Sequence, residues 1–249
     1  MAQPRQRPDA MSGNYQQLSA DHIIATLEKL HARILARFPE SGLGRVCAEL
    51  IETACASAAE AAELARPNYL WRGAAAALAL AGLIAQIAAF RFLHLERIEG
   101  SAPELLQGLE AAVSLLILFG SAVWFVLTLE ERVKRQRVLD ALHRLRSLAH
   151  VIDMHQLTKD PTIVLDAQKT SVSPDRTMSH FELTRYLDYC SEMLALIGKL
   201  AALYGERMRD GVVIEAVNDM ENLTTGLGRK IWQKITLIGV LEERGAGSE

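Results

Sequence analysis

One unbroken run, Ala111 to Leu157, limits what this chain can fold into. Its first part, AAVSLLILFGSAVWFVLTL (Ala111 to Leu129), carries only hydroxyls and one indole as polar side-chain groups. The run continues through ERVKRQRVLDALHRLRSLAHVIDMHQL with no Gly or Pro, and Pro161 is the first strong stop. At 1.5 Å per residue this predicts a single rod of roughly 70 Å, of which about 30 Å matches the hydrocarbon thickness of a bilayer. Events in the bilayer are then joined mechanically to whatever His143, Arg146, His150 and Asp153 do beyond it.

Composition matters chiefly through where the apolar residues fall. Half of the chain is hydrophobic and the net charge is −3, but Ala and Leu concentrate between Gly73 and Leu129. Elsewhere the pattern is that of amphipathic helix, without the alternating Val/Ile/Thr runs of strands. The fold class expected is therefore all-α, a two-span membrane protein with a helical bundle. Cys47, Cys55 and Cys190 lie in helical patterns without CxxC spacing, which gives neither a disulfide framework nor a zinc site. The N-terminal stretch, residues 1–18, has no apolar core of the signal-peptide kind and is expected as a disordered tail, as is 245–249.

The first span is predicted at about residues 70–93, and the second at about 109–130. GAAAALALAGLIAQIAAF (Gly73 to Phe90) is apolar except for Gln86, and Tyr69 and Trp71 stand where an interfacial aromatic belt belongs. Gly73, Ala77, Ala81 and Ala85 recur every four residues, a spacing that lets helix backbones approach closely in lipid. Their partner is either the second span or a neighbouring subunit. Gln86 either bonds across helices or lines a hydrated path. Between the spans, Arg91 to Glu110 reads as a connection with Gly100 and Pro103 as turn residues. Arg132, Lys134, Arg135, Arg137, Arg144 and Arg146 follow the second span, so the positive-inside rule places both termini in the cytoplasm.

Four further helices are expected outside the spans. Two form an N-terminal hairpin within residues 19–66, broken at Pro39 and Gly42. The rest of a 131–244 bundle comes from the rod's far half, a helix capped by Ser179 and Glu182, and a final helix from about Val212 to Glu243. The capped helix buries Leu183, Tyr186, Leu187, Cys190, Leu194, Ile197, Ala201 and Tyr204. The final helix buries Ile214, Val217, Leu223, Leu227, Ile231, Ile235 and Ile238. Along the rod, His143, Arg146, His150 and Asp153 step by three, four and three to form a polar seam, with His155 near its end.

This seam invites chemistry. His150, Asp153 and His155 suggest a metal, but residues five apart on a helix diverge by about 140°, unlike the i, i+4 pair of HExxH. A satisfied inter-helix network, with Arg146 pairing with Asp153 across His150, is the plainer expectation, with no metal and no cofactor. Arg144 and His150 give an Arg-x5-His spacing that resembles the HEPN ribonuclease motif, although Leu145 stands where that family usually has a polar residue. That resemblance implies a membrane-tethered ribonuclease as the enzymatic alternative. Gly226-Leu227-Gly228 lacks the strand a phosphate loop needs. The basic run after the second span reads as a membrane-surface anchor rather than a nucleic-acid patch.

Two close spans, both termini inside and a helical extension of the second span form a layout that resembles the small two-span effectors of bacterial anti-phage systems, such as the SLATT-type proteins. The resemblance implies a homo-oligomer that perturbs the inner membrane when its cytosolic part is triggered. The function expected is therefore a gated pore or membrane-disrupting effector rather than an enzyme, answering a protein or small-molecule trigger. Gln86 and the small-residue face belong in the membrane, and the Arg146, His150 and Asp153 seam is expected as a subunit contact or trigger-sensing surface. A membrane scaffold for a soluble partner is the other alternative.

Overall fold

The computed structural model describes residues 18–64, 68–95, 102–157, 159 and 178–246, and among these it contains six α-helices and no strand. They are α1 (Ala20–Arg37), α2 (Gly42–Leu64), α3 (Tyr69–Leu95), α4 (Ala102–Leu157), α5 (His180–Arg207) and α6 (Gly211–Ala246). The expected N-terminal tail up to residue 17, and the loop sequence from 160 to 177, lie outside the described residues.

Helix boundaries follow local chemistry. Ser19 opens α1 by accepting a hydrogen bond from the backbone N–H of His22, and Phe38 and Pro39 end it. Ser179 and Glu182 form the reciprocal capping box of α5. The bonds from Ser179 hold the Glu182 carboxyl below its usual range. A depressed carboxylate contributes stability above its unfolded value and loses it as pH falls through the folded one, so this cap weakens only in acid. Two expectations need correction. The connection between the spans is shorter than Arg91–Glu110, because α3 runs to Leu95 and α4 already starts at Ala102. Pro103 falls in the first helical turn, where its missing N–H costs nothing. At the other end, α6 extends to Ala246, into the expected tail.

The chain divides into two units, Met1–Ala61 with Ala141–Glu249, and Ala62–Asp140. The first is a helical bundle that includes the N-terminal hairpin. Ile23, Leu27, Leu30 and Ile34 of α1 are buried, as are Leu43, Val46, Cys47 and Leu50 of α2. From α4 come Leu142, Leu145, Leu148, Ala149 and Ile152. Helix α5 is the most enclosed, with fourteen buried residues including Leu187, Met193, Leu194, Ile197 and Tyr204, and it packs most closely against α6. All eight residues expected on its inner face are buried.

On α6 the face differs from the expected one. Val213, Val217, Met220, Thr224, Leu227, Ile231 and Ile238 are buried, whereas Ile214 is exposed and Leu223 and Ile235 are only half-buried. The buried residues step by four and three, a seam of period 3.5 that passes through the polar Thr224. Thr224 fits because its hydroxyl donates to the Met220 carbonyl and faces Gly198 of α5, where a Cβ would lie 3.0 Å from Oγ1.

Three free thiols report on this packing. Burial pushes Cys47 up to about 11 and Cys190 up to about 12, while Cys55 is exposed. Alkylation of the native chain at pH 8 should modify one thiol, Cys55, and all three only after denaturation, as intact-mass spectrometry would read directly. Fast native modification of all three would contradict the packed bundle.

The second unit is built on α3 and the first part of α4, which carry the two stretches long and apolar enough, among the described residues, to cross a membrane. None of α4's most apolar stretch is buried. Leu80, Leu83, Ile84 and Ile87 on α3 and Leu116, Ile117, Leu118, Trp124 and Phe125 on α4 are bare. A soluble protein does not leave such a surface in water, and a bilayer is the medium it suits.

Candidate functional site

In the second unit, three contacts set an antiparallel register between α3 and α4. The backbone N–H of Asn68 donates to Glu130 at 3.1 Å, Gly82 lies against Phe119, and Gln86 Nε2 donates to the Ala112 carbonyl at 3.0 Å. From Asn68 to Gln86, and from Ala112 to Glu130, the seam covers about 27 Å, close to the hydrocarbon thickness. Its α3 side is Trp71, Ala75, Leu78, Gly82 and Ala85, all buried or half-buried. Its α4 side is Ala112, Leu115, Phe119, Ala122 and Val126, each half-buried. Both alternate steps of three and four, the spacing of a left-handed pair.

Gly82 is the pivot. A Cβ there would sit 2.7 Å from Phe119 Cγ and 2.8 Å from its Cβ, atoms too near the backbone to swing aside. Gln86 has its polar group bonded across the pair, which meets the demand of burying an amide in lipid. Ser121 and Thr128 meet it differently, each donating to the carbonyl three residues earlier at 2.9 Å. The four-residue stripe takes little part in this seam. Gly73, Ala77 and Ala81 are exposed, Gly73 would have open space around a Cβ, and Ala85 alone is half-buried.

At the start of the seam, Glu130 also pairs with Lys134 at 2.9 Å one turn along α4. Nothing in the spacing of apolar residues marks Asn68 and Glu130 as partners, because they lie 62 positions apart.

In the bundle, the polar seam of α4 is dispersed rather than assembled. His143, Arg146 and His150 are exposed. Asp153 accepts from Gln156 Nε2 at 2.5 Å, so the expected Arg146–Asp153 pairing is replaced by a local one. Seven positions on one helix separate Arg146 from Asp153 by about 10 Å, beyond direct reach, while Gln156 sits one turn away. His155 is half-buried with its ring against Gly42 at the start of α2. Among the described residues, no three His, Cys, Asp or Glu side chains converge as a metal-ion site would require.

Arg144 does belong to an inter-helix network, with partners the spacing did not reveal. Its Nη2 donates to both oxygens of Glu60 on α2, at 2.7 and 2.9 Å. The Tyr204 hydroxyl of α5 donates to Glu60 Oε2 at 3.0 Å. Tyr204 is fully buried, and burial pushes its phenol above the usual range. Three helices thus meet at one carboxylate. Arg144 and His150, the pair carrying the ribonuclease resemblance, are not brought together: the guanidinium is held by Glu60 and the imidazole points to solvent.

Both ends of the passage between units carry such ties. Glu60 precedes the Ala61/Ala62 boundary, and Arg144 follows the Asp140/Ala141 boundary. The sequence-level signal available for them was only that Glu60 and Glu63 are the charged residues in the Ala-rich end of α2. No protein-family model, curated protein or solved structure matches this chain.

Proposed function

We propose that this chain is an oligomeric inner-membrane protein that opens or disrupts the bilayer when its cytosolic bundle receives a protein or small-molecule signal, with anti-phage defence as the setting the layout suggests. The observation that carries this reading is the stripe Gly73, Ala77 and Ala81, left exposed on α3 once α3 and α4 have paired through Ala75, Leu78 and Gly82. In lipid, where helices gain nothing by hiding apolar surface from one another, association depends on close approach, and small side chains at this spacing supply it. A second copy of α3 fits that face.

Two further features support the reading. Helix α4 supplies both an apolar stretch of membrane length and part of the bundle core, through Leu142, Leu145 and Ile152. A change in bundle packing therefore has a continuous helical route towards the bilayer. The basic residues from Arg132 to Arg146 keep that end of α4 in the cytoplasm, with both termini on the same side.

Purified chain reconstituted into dye-loaded liposomes tests the proposal. At a high protein-to-lipid ratio, where mass action drives copies together without the signal, wild-type protein should release the dye, and Ala81→Leu should cut release at least tenfold while the bundle melts at an unchanged temperature. Equal release by the two proteins would overturn the reading.

A further inference from the structure

The outer side of α5 and α6 carries a groove that the bundle leaves unfilled. It has a volume of about 690 Å³ and is lined on α5 by Ser191, Ala195 and Gly198, and on α6 by Thr224, Thr225 and Gly228. Small residues on both walls leave it open and let another backbone come close. Trp232 stands at its edge, 57% exposed. An indole left largely in water on a well-packed bundle is the kind of side chain that anchors interfaces.

The charges around the groove favour one occupant. Lys199 of α5 lines it as an exposed cation, beside an exposed pair of opposite charge on α6, Glu221 and Arg229. They lie four residues before and four residues after Thr225. When two α6 helices cross antiparallel about a two-fold axis at Thr225, Glu221 of each copy falls opposite Arg229 of the other. One surface then supplies both halves of two ion pairs, the self-complementarity that an isologous contact requires. Exposed pairs of this kind set register more than they add affinity, which comes from closing the small-residue floor and covering Trp232.

We propose that this α5/α6 groove is the contact through which two copies of the bundle associate, back to back along α6. It deepens the oligomeric reading above and rests on that reading only in requiring that copies associate.

Disulfide cross-linking of the full chain in native membranes tests it, in a Cys55→Ser background. Thr225→Cys lies on the proposed axis and should form linked dimers at least tenfold faster than Glu215→Cys, an exposed control elsewhere on α6. Adding Glu221→Arg should abolish that advantage, and combining it with Arg229→Glu should restore it. Cross-linking at Thr225→Cys no faster than at the control, or indifferent to Glu221→Arg, overturns the proposal and leaves the groove to a different protein. Because the readout is covalent dimer, its failure is separable from failure of the membrane reading, which is scored by dye release.

Discussion

Gly82→Leu should unpair α3 from α4. The new side chain would begin 2.7 Å from Phe119 Cγ, in the middle of a seam whose contacts on either side, Gln86 to Ala112 and Asn68 to Glu130, hold the helices in register. Relief requires either moving Phe119 off its rotamer or separating the helices by several tenths of an ångström along the seam. In lipid the second course is cheap, because the exposed flanks of both helices are as content with acyl chains as with one another. A cysteine pair at Gln86 and Ala112, in a Cys55→Ser background, should cross-link readily with Gly82 present. With Leu at position 82 the rate should fall at least tenfold. Gly73→Leu, whose Cβ meets nothing within 4 Å, should leave that cross-link intact. Similar loss in both variants would mean that the whole small-residue surface, rather than Gly82, holds the pair.

Leu145→Ala should carry the largest cost in the bundle. Leu145 is fully buried on α4, where Leu142, Leu148, Ala149 and Ile152 share its face. Removing three carbons there takes away transfer energy and leaves a cavity, together about 2–5 kcal/mol. For a unit of this size that lowers the melting temperature by roughly 5–15 °C, measurable by circular dichroism of the full chain in detergent. Arg146→Ala, one residue on and exposed, should stay within about 0.5 kcal/mol of wild type. The contrast tests whether α4, after supplying an apolar stretch of membrane length, truly serves as a core helix of the bundle. Comparable melting of both variants would show that it does not.

The helices and their order were legible because each rests on a local signal: Ser19 and Ser179 with their caps, Pro39 as a stop, and the apolar run of α4. The inner face of α5 was legible for the same reason, since Leu183 to Tyr204 repeat at helical period without interruption. What the sequence concealed depended on partners distant along the chain. Glu60 meets Arg144 and Tyr204 across 84 and 144 positions, and no periodicity on α2 announces it. On α6, Val217, Leu227, Ile231 and Ile238 were placed correctly, but Ile214 and Ile235 look better buried than Thr224, until Gly198 opposite makes room for the hydroxyl. The small-residue stripe was visible, but which face of α3 would meet α4 was not. That choice turned on Gly82, a glycine outside the four-residue repeat, and on the bulk of Phe119 facing it.

We propose that the apolar unit acts on the membrane through the face Gly73, Ala77 and Ala81. The readout is membrane potential in bacteria, followed by a voltage-sensitive dye as wild-type protein and Ala81→Leu are induced to equal high levels, at which crowding of copies stands in for the signal. Depolarisation by the wild type alone is the predicted result. Growth arrest with the potential intact in both strains, relieved by His150→Ala, would contradict the claim and move the activity to the exposed face of α4.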